Sequence, residues 1–268
     1  MRITSEVEMG GNRRLALIAG PCVIESEEHV HMLASALSTL AKRLEAPFVF
    51  KASFDKANRS SVNSYRGPGI KEGLRILKSV RDRGIAVLTD IHEPAQAALA
   101  AEAVDILQIP AFLCRQTDVL VEAGKTGRVV NIKKGQFVSP ADIRLAAEKV
   151  ASTGNDRILL TERGTSFGYN NLVVDMRGLA TMRGFGWPVV FDATHSVQLP
   201  GAAGTASGGQ PEFIEPLASA AVAVGVDAVF IEVHEAPERA LSDGANALRL
   251  DKLEGLMRKL QRISLAAR

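Results

Sequence analysis

The chain has 268 residues, enough for one large domain or two small ones, and its 46% hydrophobic and 23% charged residues are the balance of an ordinary globular protein. A net charge of +2 excludes a broadly basic nucleic-acid or membrane surface, though not a local basic cluster. The two cysteines, Cys22 and Cys114, exclude a disulfide scaffold and fit a reducing compartment. The opening MRITSEVEMGGNRR carries acidic residues and no apolar core, unlike a signal peptide. The longest apolar stretch, AVAVGVDAVFIEV, is too short to span a bilayer and contains Asp227. A cytoplasmic protein with neither nucleic acid nor membrane as partner is expected.

In chain order, LALIAG from residue 15 reads as a strand, followed by a helix in EEHVHMLASALSTLAKRLE. FVFKASF from 48 leads to GIKEGLRILKSVRDRG, a helix closed by Gly84. AVLTDI from 86 precedes a weaker helical pattern at 94–103, and ILQI from 106 another at 116–124. VVNIKK from 129 leads to SPADIRLAAEKVASTG, with Ser139 as N-cap and Pro140 at the first helical position. ILLTER from 158 precedes a weak helix at 176–183. VVFDAT from 189 precedes PEFIEPLASAAVAVG, and AVFIEVH from 228 precedes RLDKLEGLMRKLQRISLAAR. The strands are nearly continuous apolar runs, as strands buried on both faces are. The alternation predicts a single (β/α)₈ barrel over residues 1–268, with a doubly wound open sheet as the competitor. No GxGxxG follows the first strand, which weakens a dinucleotide-binding reading.

Barrels of this kind carry their chemistry at the C-terminal ends of the strands. Here those ends bear Cys22, Lys51 with Ser53, Asp90 with His92, Gln108, Lys133 with Lys134, Glu162 with Arg163, Asp192 with His195, and Glu232 with His234. Crowded charges are costly unless they meet a ligand or one another. The cations Lys51, Lys56, Arg59, Lys133, Lys134, Arg163 and Arg115 are a heavier load than one carboxylate needs, and suit one or two phosphates. Cys22, His195 and Glu232 follow strands that become neighbours when the barrel closes, and Asp243 lies just beyond. That S/N/O set suits a borderline divalent ion, Zn, Fe, Mn or Co, while Cys22 taken alone reads first as a small buried residue. Cys114, His29 and His31 read as packing or surface residues, and alternation along the strand is expected to turn His234 away from the interior. LPGAAGTASGGQPEF, 199–213, is a slack linker or a mobile lid, and its place over the rim favours the lid.

The segments AGPCVIES, FKASFDKANRSS, LTDIHEP, LQIPAFLCRQTD, NIKKGQF, LTERGTSFGYNNLVVD, FDATHSVQLPG and FIEVHEAPERALSDGAN resemble the 3-deoxy-D-manno-octulosonate 8-phosphate synthase family, from about residue 15 to the C-terminus. The resemblance implies a (β/α)₈ barrel, a homotetramer, and condensation of phosphoenolpyruvate with D-arabinose 5-phosphate and water on the path to lipopolysaccharide. It implies a phosphoenolpyruvate site at Lys51, Lys56, Gln108, Lys133 and Arg163. It implies a sugar-phosphate site at Asn58, Arg59 and Ser60, completed by Arg115 from a neighbouring subunit. Asp90 and His92 stand near the reacting carbons, and Lys51, Asp90, His92, Lys133 and Asp243 form the catalytic set. Metal-dependent members of the family carry cysteine where others carry asparagine. Cys22 therefore implies that class, with His195, Glu232 and Asp243 as co-ligands. Ala245 departs from the proline of many such members. The implied reaction needs no Schiff base: carbon 3 of phosphoenolpyruvate attacks the aldehyde, carbon 2 takes up water, and phosphate leaves by C–O cleavage. The rivals are 3-deoxy-D-arabino-heptulosonate 7-phosphate synthase, which typically has KPRT where this chain has KANRS, and a non-catalytic sugar-phosphate-binding barrel.

Overall fold

The computed structural model describes residues 1–11, 13–201 and 208–267. Eight strands form the wall: β1 (Ala16–Gly20), β2 (Phe48–Lys51), β3 (Ala86–Asp90), β4 (Ile106–Ile109), β5 (Val129–Lys133), β6 (Ile158–Glu162), β7 (Val189–Asp192) and β8 (Ala228–His234). Each pairs in parallel with its sequence neighbour. β1 closes the cylinder on β8, from Ala16 opposite Ala228 to Gly20 opposite Glu232. The outer ring is α1 (Glu27–Arg43), α2 (Ile70–Arg81), α3 (Gln96–Ala103), α4 (Thr117–Lys125), α5 (Ile143–Ala151), α6 (Met176–Arg183), α7 (Ile214–Val224) and α8 (Leu250–Ala266). This is the (β/α)₈ barrel that the alternating pattern predicts, and no helix among the described residues is long and apolar enough to cross a membrane.

Every residue of the eight strands is buried, because helices cover one face and the barrel interior the other. The period-two alternation sorts them. Ile18, Val49, Leu88, Ile106, Val129, Leu159, Val190 and Phe230 face inward and share one cluster with Ile3, Val7 and Met9 of the N-terminal segment. That segment folds back on itself, Met9 N–H donating to the Met1 carbonyl at 2.9 Å, and plugs the bottom of the barrel. Leu17, Phe50, Val87, Leu107, Val130, Leu160, Phe191 and Val229 have the opposite parity and join the cluster under the helices. Two residues above the inner apolar layer the same parity delivers Lys51, Asp90, Gln108, Asn131, Thr161, Asp192 and Glu232. The polar floor of the C-terminal face is thus set by strand register.

Helix starts follow local capping. Ser26 is the N-cap of α1, its hydroxyl accepting from His29 N–H at 3.1 Å. α5 begins at Ile143 rather than at Pro140: Ser139 accepts from Asp142 N–H at 3.1 Å, and the intervening residues form a turn that precedes the helix. Of the segment read as a lid, Gln198–Leu199 pairs with Gly208–Gly209, and residues 202–207 lie outside the described residues.

The Gly20–Pro21 stop of β1 has a packing reason. A Cβ on Gly20 would lie 2.0 Å from the Lys51 carbonyl oxygen, so β1 and β2 approach closely only because no side chain intervenes. Gly20→Ala is expected to destabilise the barrel by about 1–3 kcal/mol through forced strand displacement. Thermal denaturation checks this, and an unchanged melting temperature would count against it.

Candidate active site

The C-terminal mouth opens into a cavity of about 710 Å³. Its lining brings together Lys51, Lys56, Asn58, Arg59, Ser60, Asp90, His92, Gln108, Lys133, Arg163, His195 and Asp243. Cys22 and Glu232 lie beneath, both buried. Arg115 is exposed and absent from the lining of its own chain's cavity; its carbonyl accepts from Lys149 Nζ at 3.0 Å.

Two anionic hubs hold the floor. Glu232 Oε1 accepts from Lys51 Nζ at 2.7 Å, with Lys56 Nζ at 3.9 Å and His195 Nε2 at 3.7 Å. Asp192 Oδ2 meets Lys133 Nζ at 2.6 Å and His195 Nδ1 at 2.8 Å. Lys133 also stands over the Phe230 ring, 4.1 Å from its centroid, so an aromatic face underlies the amine. Burial alone would raise Glu232, but Lys51, His195 and Lys56 hold it at about 2. Burial pulls Lys133 below the ordinary lysine range, with Asp192 opposing. Burial would lower Lys56 too, yet the surrounding Cys22, Glu232, Asp90 and Asp243 push it well above that range.

A chain of hydrogen bonds that the sequence did not reveal crosses the floor. Asp90 accepts from Ser53 Oγ at 2.5 Å and from Gln108 Nε2; Gln108 Oε1 accepts from Asn131 Nδ2 at 2.8 Å; Asn131 Oδ1 accepts from Thr161 Oγ1 at 2.6 Å. It runs over β2 to β6 and fixes the orientation of Gln108 and Asp90. Asn131 and Thr161 lie mid-strand, and only their inward parity could have pointed to them. Gln136 and Gln198 were also missed. Arg163 Nη2 donates to Gln198 Oε1 at 2.6 Å, while Arg163 Nη1 and Gln136 Oε1 are buried without a hydrogen-bond partner among the described residues. Unpartnered buried polar atoms lining a cavity are where a ligand regains the lost bonds.

Two strand-end charges do not join the cavity. Lys134 and Glu162 have the outward parity. Lys134 Nζ donates to the carbonyls of Gly135 and Val138, both at 3.2 Å, and to Thr165 Oγ1 at 3.0 Å. Glu162 Oε1 lies 3.5 Å from Lys134 and accepts from the Arg163 and Gly164 N–H groups. Lys134 therefore belongs to the wall behind the site, not to its cationic lining. His234 is also outside the lining, though not through alternation, since it shares the parity of Glu232. It lies beyond the barrel rim and packs on His29, ring centroids 4.8 Å apart. Its Nδ1 accepts from Ala236 N–H at 3.0 Å, which leaves the neutral ring's proton on the Nε2 that faces Glu25. Cys114 is fully buried in the helix-side core, a packing residue as expected.

Three of the four expected metal ligands converge, and His195 stands outside that group, its Nε2 3.7 Å from Glu232 Oε1. One ligand atom each from Cys22, Glu232 and Asp243 lie within 4.8 Å of one another. His195 directs Nδ1 at Asp192 and so turns Nε2 toward Glu232. Thiol, imidazole and two carboxylates suit a borderline divalent ion. Burial, then Asp243 and Glu232, push the Cys22 thiol well above its ordinary range. Forming the thiolate here calls for the charge of an ion.

Asp90 yields a pH test. Burial alone would raise its carboxyl, but Lys56, Lys51, His92 and Lys133 depress it well below the usual range. Ionised Asp90 therefore contributes stability above the unfolded value near pH 4, and that contribution is lost as pH falls below it. Wild type is expected to lose stability between pH 5 and pH 3 more steeply than Asp90→Asn, as measured by denaturant titration at each pH.

Comparison with known proteins places the whole chain. It matches the DAHP synthetase I family over residues 1–266. It is 62% identical over 260 residues to the 2-dehydro-3-deoxyphosphooctonate aldolase of Syntrophotalea carbinolica, covering 97% of this chain and 94% of that one. The proteins of the same name from Trichlorobacter lovleyi and Geobacter metallireducens are 59% and 61% identical, over 98% and 96% of this chain and 97% and 95% of theirs. With the fold, the polar floor and the match all spanning the barrel, the chain belongs to the DAHP synthetase I family.

Proposed function

We propose that the protein is a transferase that condenses phosphoenolpyruvate with D-arabinose 5-phosphate and water, giving 3-deoxy-D-manno-octulosonate 8-phosphate and inorganic phosphate. The reading rests on relatives near 60% identity that bear the octonate name, against a family name shared with the heptulosonate rival. The observation that carries it is the convergence of Lys51, Lys56, Lys133 and Arg163 on one cavity whose outer wall holds Asn58, Arg59 and Ser60.

The residues divide the work. Arg163, with Nη1 free of partners among the described residues, and Lys56, whose nearest carboxylates among them are 3.8 and 3.9 Å away, receive the phosphoenolpyruvate phosphate. Lys51 is held between Glu232 and the Cys22 carbonyl, the latter at 2.7 Å, and presents its charge to the enol carboxylate. Gln108 and Asp90, locked by the hydrogen-bond chain, set the pose of the reacting carbons, with His92 beside them against Phe54. Asn58, Arg59 and Ser60 bind the sugar phosphate, and Arg115 of a neighbouring copy completes that subsite in a homotetramer. Two anions that repel each other in water are thereby held in attack geometry by charges already in place. Lys133, its proton loosened by burial and its amine held against Asp192 Oδ2, is the proton donor for the developing alkoxide. Cys22, His195, Glu232 and Asp243 would hold a divalent ion that supplies Lewis acidity at the cavity floor. Cys22 supports placing the chain in the metal-dependent class, and the proposed product supports a role in lipopolysaccharide synthesis, in the cytoplasm.

Phosphate release should be seen with phosphoenolpyruvate and arabinose 5-phosphate; release with erythrose 4-phosphate instead would transfer the assignment to the heptulosonate rival. Exhaustive chelation should abolish turnover and added Mn²⁺ or Co²⁺ restore it, whereas full activity after chelation would remove the metal from the reaction. Arg163→Ala is expected to lower kcat/KM by roughly 10–100-fold, the worth of a charge-assisted phosphate contact. Arg115→Ala should raise KM for the sugar phosphate and leave that for phosphoenolpyruvate unchanged.

A further inference from the structure

Arg59 touches both halves of the proposed site. Its Nη1 donates to Ser242 Oγ at 2.8 Å, and Nη1 and Nη2 lie 3.4 and 3.5 Å from the two carboxylate oxygens of Asp243. Asp243 Oδ2 also accepts from Cys22 Sγ at 3.2 Å, and Ser242 Oγ lies 3.0 Å from the same sulfur. Arg59 can only donate, so the Ser242 hydroxyl accepts from it while also contacting Cys22 Sγ. The guanidinium thus covers one proposed metal ligand and reaches a second through a single hydroxyl.

This arrangement opposes a bound cation in two ways. A fixed positive charge sits beside the ligand set, and both oxygens of Asp243 are engaged. The grip is also poor. The contacts to Asp243 are at the long limit of a hydrogen bond, and Arg59 Nε is buried without a partner among the described residues. A doubly charged phosphate seated between Asn58 and Ser60 offers the guanidinium shorter, fork-matched acceptors on the cavity side.

We propose that Arg59 is a switchable partner: without sugar phosphate it rests on Asp243 and weakens metal binding, and the sugar phosphate draws it off and frees that ligand. Metal and sugar phosphate therefore bind with positive linkage, each tightening the other by the same factor. The inference rests on the metal and sugar-phosphate assignments above and adds the coupling between them. Arg59 acts on the metal as a positioning residue, through Asp243 and Ser242.

The test is Co²⁺ titration of metal-stripped protein without phosphoenolpyruvate, read by the thiolate-to-cobalt absorption band that Cys22→Ala should abolish. In wild type, arabinose 5-phosphate is expected to lower the Co²⁺ dissociation constant by roughly tenfold, and Co²⁺ to lower that of arabinose 5-phosphate equally. Arg59→Ala should bind Co²⁺ more tightly than wild type when no sugar is present, the opposite of what damage to the fold produces. Equal or weaker Co²⁺ binding by Arg59→Ala, or a wild-type Co²⁺ affinity indifferent to arabinose 5-phosphate, overturns the linkage while leaving the metal site intact. A wild type with no Cys22-dependent band overturns the metal assignment itself, and the linkage with it.

Discussion

The carboxylate of Glu232 is the constraint around which the mouth of the barrel is assembled. It sits 1% exposed on β8, opposite Gly20 of β1, at the seam where the sheet closes. A carboxylate this deep costs several kcal/mol unless its charge is met. Lys51 meets it from β2, across a β1 whose last residue has no side chain to block the reach. Lys56 and His195 lie 3.9 and 3.7 Å from the same oxygen. Strand closure, the glycine at residue 20 and the lysine at 51 are therefore one problem: a buried negative charge and the amine that neutralises it.

The barrel was legible in the sequence because each strand is a short, nearly continuous apolar run and five of the eight helices carry a clear period. The site was legible because the fold places chemistry at strand ends, so reading those ends recovered Lys51, Asp90, Gln108, Lys133, Arg163, His195 and Glu232 as one lining or its floor. The errors have a common physical origin. Lys133 and Lys134 look alike in a sequence, but one residue of strand alternation sends the first into the cavity and the second into a cage of backbone carbonyls. His234 shares the parity of Glu232, yet the strand has by then cleared the rim. Asn131 and Thr161 were missed because a polar residue inside an apolar run carries no signal until its neighbours across the sheet are known.

The resting charge pattern also explains why the cations are not equivalent. Lys51 and Lys133 are each within 2.7 Å of a buried carboxylate, and moving either would expose an uncompensated charge. They are framework as much as ligand. Among the described residues, Lys56 has no carboxylate closer than 3.8 Å and Arg163 donates to the neutral Gln198, so neither is locked in a close ion pair. An incoming phosphate costs least where it breaks no existing pair. On that ground the proposed phosphate contacts are Lys56 and Arg163, with Lys51 and Lys133 shaping the field around them.

Asp243 is the exception among the anions. It has a positive φ of 50°, an unusual conformation for a residue other than glycine, and it lies on the loop after β8 rather than in the barrel wall. Glu25, on the loop after the adjacent β1, secures that loop by accepting from Leu241 N–H at 2.9 Å. Cys22, His195 and Glu232 are held by strand ends and their partners, whereas Asp243 depends on a backbone position stabilised by distant contacts. The proposed ligand set thus has three members at or just beyond strand ends and one on the longer loop after β8. Arg59 bears on the same member, so the loop, rather than the barrel wall, is where binding at the outer subsite can reach the floor.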